Sequence, residues 1–428
     1  MQILIVTHYF PPENTIASLR PYSWAKYWTR SGHQVTVLTT QEPIAEQNLS
    51  LPLPDCEILR VFRPTILNRG RLSKKNIERV KSLTRWNKCK GYFVKKLIRF
   101  INYTGVGFFR APSLDSKWPG LVRKSGLLDS GRFWDVCVCT FGEASVLKVG
   151  RDLKKKGQVG KLIFDFRDLW TENINFKGLF PFNVYEQLQE YRWCRLADVI
   201  TTVSEPLARV LEKKHHKKVQ IVLNGFDPED RMNNKQVEKL DSSKINILYT
   251  GTIYRGFQNP SPLFEALKSL IEDDYPGISD LLIIFAGKNT TEVEKLAEKY
   301  GVQNQVNCLG FLKRETILSL QECVDILLFL DYNSENGDGI LTGKLYEYMF
   351  SGTQIWAIGK VNRASRIIEE NDLGEVYGND VEKIKKALKV LLVEKHPKKF
   401  SLELLTEKLR HYTRGYQAQR MLDCLNQN

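Results

Sequence analysis

The stretch DYNSENGDGILTGKLYEYMFSG, residues 331–352, concentrates the residue types that hold a phosphorylated sugar. Gly337, Gly339 and Gly343 predict a tight turn opening a helix, so that backbone amides and the positive helix end converge on an anion with Lys344 beside them. Glu347 follows three residues later on the same helical face, where a carboxylate can accept from sugar hydroxyls. The expected ligand is a phosphate with a neighbouring diol. Gly251 leads into Thr252-Ile253-Tyr254-Arg255, and Gly287 leads into Lys288. Glycine lets backbone approach a diphosphate, and the cation adds a charge-assisted hydrogen bond. In the first half, Arg167-Asp168-Leu169-Trp170 sets a cation beside a carboxylate. That pair suits binding an acceptor and handling its proton, or simply holding a loop by an ion pair. Thr140-Phe141-Gly142-Glu143 is a weaker candidate, because Glu143 also suits a helix N-terminus.

Each of these groups follows a short apolar run. The runs are QILIVT (2–7), QVTVLT (34–39), EILRVF (57–62), DVCVCT (135–140), KLIFDF (161–166), DVITTV (198–203) and VQIVLN (219–224). After the polar NGFDPEDR the pattern restarts with INILYTG (245–251), LLIIFAG (281–287), QVNCLG (305–310), VDILLFL (324–330) and TQIWAIG (353–359). Such runs alternating with longer amphipathic stretches predict β-α units and parallel sheets. The expected fold class is α/β, two doubly wound Rossmann-like domains joined near 224–245. In such sheets ligands lie beyond the carboxyl ends of strands where strand order reverses, although residues there also cap helices. The loop after the first strand, THYFPPENT, has prolines, Asn14 and Thr15 in place of a glycine-rich phosphate loop, so a nucleotide is expected elsewhere.

The 428 residues are 42% hydrophobic and 26% charged, which fits two or three folded domains and excludes a low-complexity chain. No run approaches the ~18 apolar residues of a membrane span. The opening MQILIVTHYF reads as a strand and not a secretion signal. The eight cysteines are scattered without metal-ligand spacing, and Cys137 and Cys139 share one face of a strand. A reducing, cytoplasmic setting follows. Net charge is +14, and between Arg69 and Arg110 thirteen basic residues face one acidic residue. This block is interleaved with Trp86, Tyr92, Phe93, Leu97, Ile98 and Phe100, which suggests one dedicated contact. A nucleic-acid-binding protein would spread its charge more widely and carry aromatic RNA-binding signatures.

With GHQVTVLTT, FRDLW, the interdomain NGFD, YTGTIYRGFQNPSPLFEAL and GILTGKLYEYMFSG in this order, the chain resembles the family 4 retaining glycosyltransferases over almost its whole length. The resemblance implies a GT-B architecture, two facing Rossmann-like domains with a cleft between them. Residues 1–223 would form the acceptor-side domain with a basic insertion at 69–110. Residues 224–400 would bind the nucleotide sugar, and a helix within 401–428 would return to the first domain. The implied activity is transfer of a hexosyl or N-acetylhexosaminyl group from a nucleoside diphosphate to a glycan or lipid-linked acceptor, with retention. No metal or other cofactor is expected, the nucleotide sugar being a co-substrate.

The resemblance puts Glu347 on the ribose, Arg255 and Lys344 on the diphosphate, and the amides of Ile340, Leu341 and Thr342 near sugar or phosphate. Gly251, Gly287 and Lys288 complete the donor side. Arg167, Asp168, Arg255 and Lys344 form the expected catalytic set. The family's Glu-x7-Glu motif has Gly339 at its first carboxylate position, which shifts donor-sugar recognition to Asp338 or main chain. The family also implies an anionic membrane surface as partner, with Lys95, Lys96, Arg99 and Phe100 as membrane or acceptor contacts on the inner face of the plasma membrane. Two alternatives share parts of this pattern: a sugar-nucleotide 2-epimerase of the same architecture, and a non-enzymatic nucleic-acid-binding protein.

Overall fold

A computed structural model of the chain describes residues 1–13, 15–41, 49, 51–62, 117–128, 131–173, 180–232, 240–241, 243–254, 256–333, 341–395 and 397–426. Two compact units divide it: Met1–Leu223 with Gln417–Asn428, and Asn224–Tyr416.

The first unit is built on seven parallel strands: β1 (Gln2–Val6), β2 (Gln34–Gln41), β3 (Glu57–Phe62), β4 (Trp134–Phe141), β5 (Val159–Phe166), β6 (Val199–Thr202) and β7 (Val219–Ile221). They lie in the order β3-β2-β1-β4-β5-β6-β7, so strand order reverses between β1 and β4. Continuous Val and Ile runs form these strands because both faces of the sheet are covered. The covering helices are α1 (Ile16–Arg30), α2 (Trp118–Lys124), α3 (Ala144–Lys155), α4 (Phe182–Cys194) and α5 (Glu205–His215). One core holds Trp24 and Trp28 of α1, their rings stacked at 5.7 Å, with Ala418 and Met421. The other core holds Trp118, Val146, Leu153, Trp193 and Leu211 from α2 to α5. Cys137 and Cys139 are buried in it, and burial pushes the Cys139 thiol up.

The second unit has six parallel strands in the order β10-β9-β8-β11-β12-β13. They are β8 (Ile245–Thr250), β9 (Leu281–Ala286), β10 (Val306–Gly310), β11 (Ile326–Leu330), β12 (Gln354–Ile358) and β13 (Gly374–Gly378). Its helices are α6 (Glu229–Met232), α7 (Ser261–Glu272), α8 (Thr290–Tyr300), α9 (Arg314–Cys323), α10 (Gly343–Met349), α11 (Arg363–Glu370), α12 (Val381–Glu394) and α13 (Leu402–Lys408). The reversal falls between β8 and β11. The fold is two parallel-sheet α/β domains, as the alternation of elements implies.

Two elements differ from the sequence reading. β13 is GEVYG, an edge strand bounded by glycines with no apolar run to announce it. The expected C-terminal helix is two helices, α13 and α14 (Arg414–Asp423), separated by a short turn at Arg410–Tyr412. The backbone of Phe226 takes up this break, donating to Tyr412 O at 3.0 Å and accepting from Arg414 N at 2.8 Å. Residues up to Tyr416 belong to the second unit, and those from Gln417 belong to the first. There Trp28 Nε1 donates to Ala418 O at 2.9 Å.

Candidate active site

In the second unit the candidate residues gather where β8, β9 and α10 meet. β8 and β9 end on Gly251 and Gly287, whose backbones touch: a Cβ on Gly287 would lie 2.0 Å from the Gly251 carbonyl oxygen. Glycine is required there so that the strand ends can approach each other. Across Gly251 lies the stem of Lys344, with Cδ 3.1 Å from where a Cβ would stand. The helix carrying Lys344 is fixed to β8 by Tyr348, whose hydroxyl accepts from Thr250 N at 2.8 Å. Thr250 Oγ1 accepts from Gln321 Nε2 at 3.1 Å, which ties α9 to the same strand end.

The Lys344 ammonium donates to the Tyr249 hydroxyl and stands 4.3 Å from that ring's centroid. Burial pushes its pKa down to about 7, against an upward pull from Glu347. A lysine so poised is readily recharged by an incoming anion. Thr342, the residue before α10, has a buried side-chain oxygen with no hydrogen-bond partner among the described residues. Leu341 beside it is buried.

Glu347 accepts from Arg314 Nη2 at 3.2 Å. Arg314 also reaches Asp230 at 3.0 Å, and Arg414 reaches the same Asp230 oxygen at 3.1 Å. This chain of alternating charges is at most 16% exposed at any side chain. It holds the Arg314 guanidinium above its ordinary range, the two carboxylates outweighing burial. Lys288 is exposed, its ammonium 5.3 Å from the Phe311 ring centroid. Arg255, Asp338, Gly339 and Ile340 lie outside the described residues, as do Lys95, Lys96, Arg99, Phe100 and the rest of the basic insertion.

The first unit presents its own polar group at the reversal of strand order. Arg167 follows β5, donates from Nε to Phe141 O at 3.2 Å and stands over the Tyr9 ring at 5.6 Å. Gly142 makes room for this, since a Cβ there would lie 2.8 Å from both Arg167 Nη2 and Tyr9. Burial lowers the Arg167 pKa, against the pull of Asp168 and Tyr9. Asp168 itself is exposed. His8, just past β1, is buried with Nε2 2.9 Å from Ser145 Oγ, and its Nδ1 lies 3.9 Å from Glu143. The fully buried carboxylate of this region is Asp165, paired through both oxygens with Arg20 at 2.7 and 3.0 Å. Hydroxyls of Thr140 and Thr201 complete it, so Asp165 serves as a brace.

The sequence reading did not find Arg314, Asp230, Arg414, Tyr249 or His8. Arg314 sits in an ordinary-looking FLKRE, and only tertiary packing brings it to Glu347. His8 had a signal, a polar residue directly after the first strand, which the prolines that follow obscured.

Residues 230–404 match the family model of the glycosyl transferases group 1. No curated protein matches the chain significantly. Among solved structures it is similar to HepE of Anabaena in complex with UDP, at 11% identity and TM-score 0.59, covering all of both chains. It is similar to sucrose-phosphate synthase from Thermosynechococcus elongatus, at 11% identity and TM-score 0.62, covering 100% of this chain and 98% of the other. It also resembles WaaG, a glycosyltransferase involved in lipopolysaccharide biosynthesis, at 15% identity and TM-score 0.53 over the whole of both chains. At such identities the likeness establishes the GT-B fold. Within that fold, the unit carrying Lys344, Thr342 and Glu347 is the one similar to the glycosyl transferases group 1.

Proposed function

We propose that the protein is a glycosyltransferase that moves a hexosyl or N-acetylhexosaminyl group from a nucleoside diphosphate to a glycan or lipid-linked acceptor. The observation that carries the reading is the cluster at the start of α10, inside the segment that matches the glycosyl transferases. It combines a lysine whose pKa is near 7, a buried threonine hydroxyl without a partner among the described residues and a carboxylate held by an arginine. Lys344 and Thr342 suit a diphosphate, and Glu347 suits ribose hydroxyls. UDP in the HepE structure supports a nucleoside diphosphate as the ligand class.

In this reading the leaving diphosphate is stabilised by fixed cations, Lys344 with Arg255, and the reaction needs no divalent ion. Gly251, Gly287 and Lys288 border the diphosphate, and Leu341, Thr342 and the 338–340 stretch meet the sugar. Arg167 and Asp168 bind and orient the acceptor hydroxyl. Transfer proceeds with retention at the cytoplasmic face of the plasma membrane, where lipid-linked acceptors are met. Among the described residues no helix is long and apolar enough to cross a membrane, so attachment there would be peripheral.

The test is thermal stabilisation by UDP, GDP and their sugars, because a ligand that binds only the native state raises the melting temperature. Lys344→Ala should abolish the shift. Arg167→Ala and Asp168→Ala should keep it and lose transfer from the stabilising donor, with EDTA leaving wild-type transfer intact. No shift with any nucleotide, or full turnover in both first-unit variants, would overturn the assignment. An isomerised or eliminated donor sugar in the absence of acceptor would make the protein an epimerase.

A further inference from the structure

Helix α4 buries Trp193 and Cys194 in the core together with two carboxylates, and leaves an apolar stripe outside. Glu186 and Glu190, one turn apart, point inward and are 1% and 0% exposed. Val184, Tyr185, Leu188 and Tyr191 point outward and are 40–52% exposed. A surface helix ordinarily does the opposite. The setting is locked from inside: Glu190 accepts from Lys214 Nζ at 2.6 Å and from Thr171 Oγ1 at 2.6 Å, and its other oxygen is 3.3 Å from His215 Nε2. These contacts hold the Glu190 carboxyl below its usual range despite burial. The helix cannot roll its apolar side inward without stranding that charge. At its C-terminus Lys217 caps three carbonyls, those of Cys194, Arg195 and Ala197, at 2.7–3.1 Å.

Cations flank one end of this stripe. Arg192 and Arg195 are exposed at the end of α4. On α3, Arg151 stands 5.0 Å over Trp193 of α4, so the outer surfaces of the two helices adjoin. Beyond it a groove of about 390 Å³ between α2 and α3 has an apolar floor that includes Val122 and Leu153, and Arg123, Lys155 and Lys156 at its rim. The carboxylate among its described lining residues, Asp152, is taken up by Lys148 and Arg151.

We propose that the outer face of α4, with the basic groove beside it, docks the protein on an anionic lipid bilayer. This rests on the membrane part of the function proposed above and assigns a contact to α4 residues that the sequence reading did not name. Valine, leucine and two tyrosines at helical spacing enter the headgroup boundary, where tyrosine rings are at home. The flanking cations meet lipid phosphates. A second copy of this chain is the poorer occupant, because pairing the faces would bring the two basic surrounds together.

The experiment is flotation of the full chain with vesicles of phosphatidylcholine containing one third phosphatidylglycerol, and with phosphatidylcholine alone, without nucleotide. The wild type should float with the anionic vesicles only and be released by 0.5 M salt. Leu188→Glu with Tyr191→Glu, and separately Arg192→Glu with Arg195→Glu, should each lower partitioning at least tenfold while leaving UDP-induced stabilisation as in the wild type. All four side chains are exposed, and if the first pair failed to fold the arginine pair would decide. Undiminished flotation of the variants, absence of wild-type binding, or a lipid-free dimer dissociated by Leu188→Glu would overturn the proposal. Vesicle binding without any nucleotide effect would leave it standing and remove the transferase reading instead.

Discussion

Nucleotide affinity should depend on pH through Lys344. In the free protein its pKa is about 7, because the amine is buried against Tyr249. At pH 8 or 9 most molecules therefore present a neutral amine to an incoming diphosphate. A phosphate oxygen about 4 Å away interacts with the ammonium by about 4 kcal/mol at an effective dielectric of 20. At about 1.36 kcal/mol per unit, this lifts the pKa of the complex by roughly three units, to near 10. Binding above pH 7 then takes up close to one proton, and affinity for UDP should fall about fivefold from pH 7 to 8 and about eightfold from pH 8 to 9. The total is about 50-fold, or about 2.3 kcal/mol. Below pH 6 the terminal phosphate, with its second ionisation near 6, protonates and affinity falls again. Calorimetry at pH 8.5 in two buffers of different ionisation enthalpy reads the proton directly. Lys344→Met should bind weakly with no slope between pH 7 and 9. A flat wild-type profile, or the same slope in the methionine variant, would refute the reasoning.

The same shift has a consequence for folding. The folded pKa lies below the unfolded value of 10.5, so between about 7 and 10.5 the unfolded chain binds more protons and stability rises with pH. The burial penalty is complete below pH 7 and gone above 10.5, and Lys344→Met should raise the melting temperature at pH 6.5 but not at 10.5. Arg314→Ala should lower stability by about 3 kcal/mol, since it takes from Glu347 its arginine and leaves Asp230 only Arg414 in a largely buried setting, and chemical denaturation would measure it. Gly287→Ala should cost more than about 3 kcal/mol and abolish nucleotide stabilisation, because its Cβ would overlap the Gly251 carbonyl at 2.0 Å. Near-native melting of that variant would mean the strand ends separate without harm.

Much of the architecture was legible because parallel strands buried on both faces leave uninterrupted Val and Ile runs. INILYTG and LLIIFAG could hardly be anything else, and β13 escaped because GEVYG has no such run. The glycines after β8 and β9 were found for a reason that proved incomplete. Their freedom is spent first on the meeting of Gly251 with Gly287, a contact between residues 36 positions apart that only the sheet order creates. Lys344 could be picked out by its neighbours in sequence, but its lowered pKa could not, because that comes from burial, which tertiary packing against β8 creates. The outward apolar stripe of α4 was invisible for a related cause. FNVYEQLQEYRWC has no dominant apolar face, and its orientation is decided by Lys214 and His215 on the next helix.

Glu347 shows why the missing first carboxylate of the family motif need not empty the site. A lone glutamate on α10 would swing among rotamers and pay entropy to meet a ligand. Here Arg314 fixes one oxygen, and Asp230 and Arg414 fix Arg314 in turn. Through a network already paired before any ligand arrives, the remaining acceptor capacity of Glu347 is aimed without further ordering. Where Gly339 stands at the first carboxylate position that the resemblance implies, Arg314, Asp230 and Arg414 still hold the second carboxylate, Glu347. The two halves of the motif are therefore separable. Recognition of the nucleotide can be retained while the choice of sugar passes to other groups, which is why nucleoside diphosphates alone, without their sugars, should stabilise the protein.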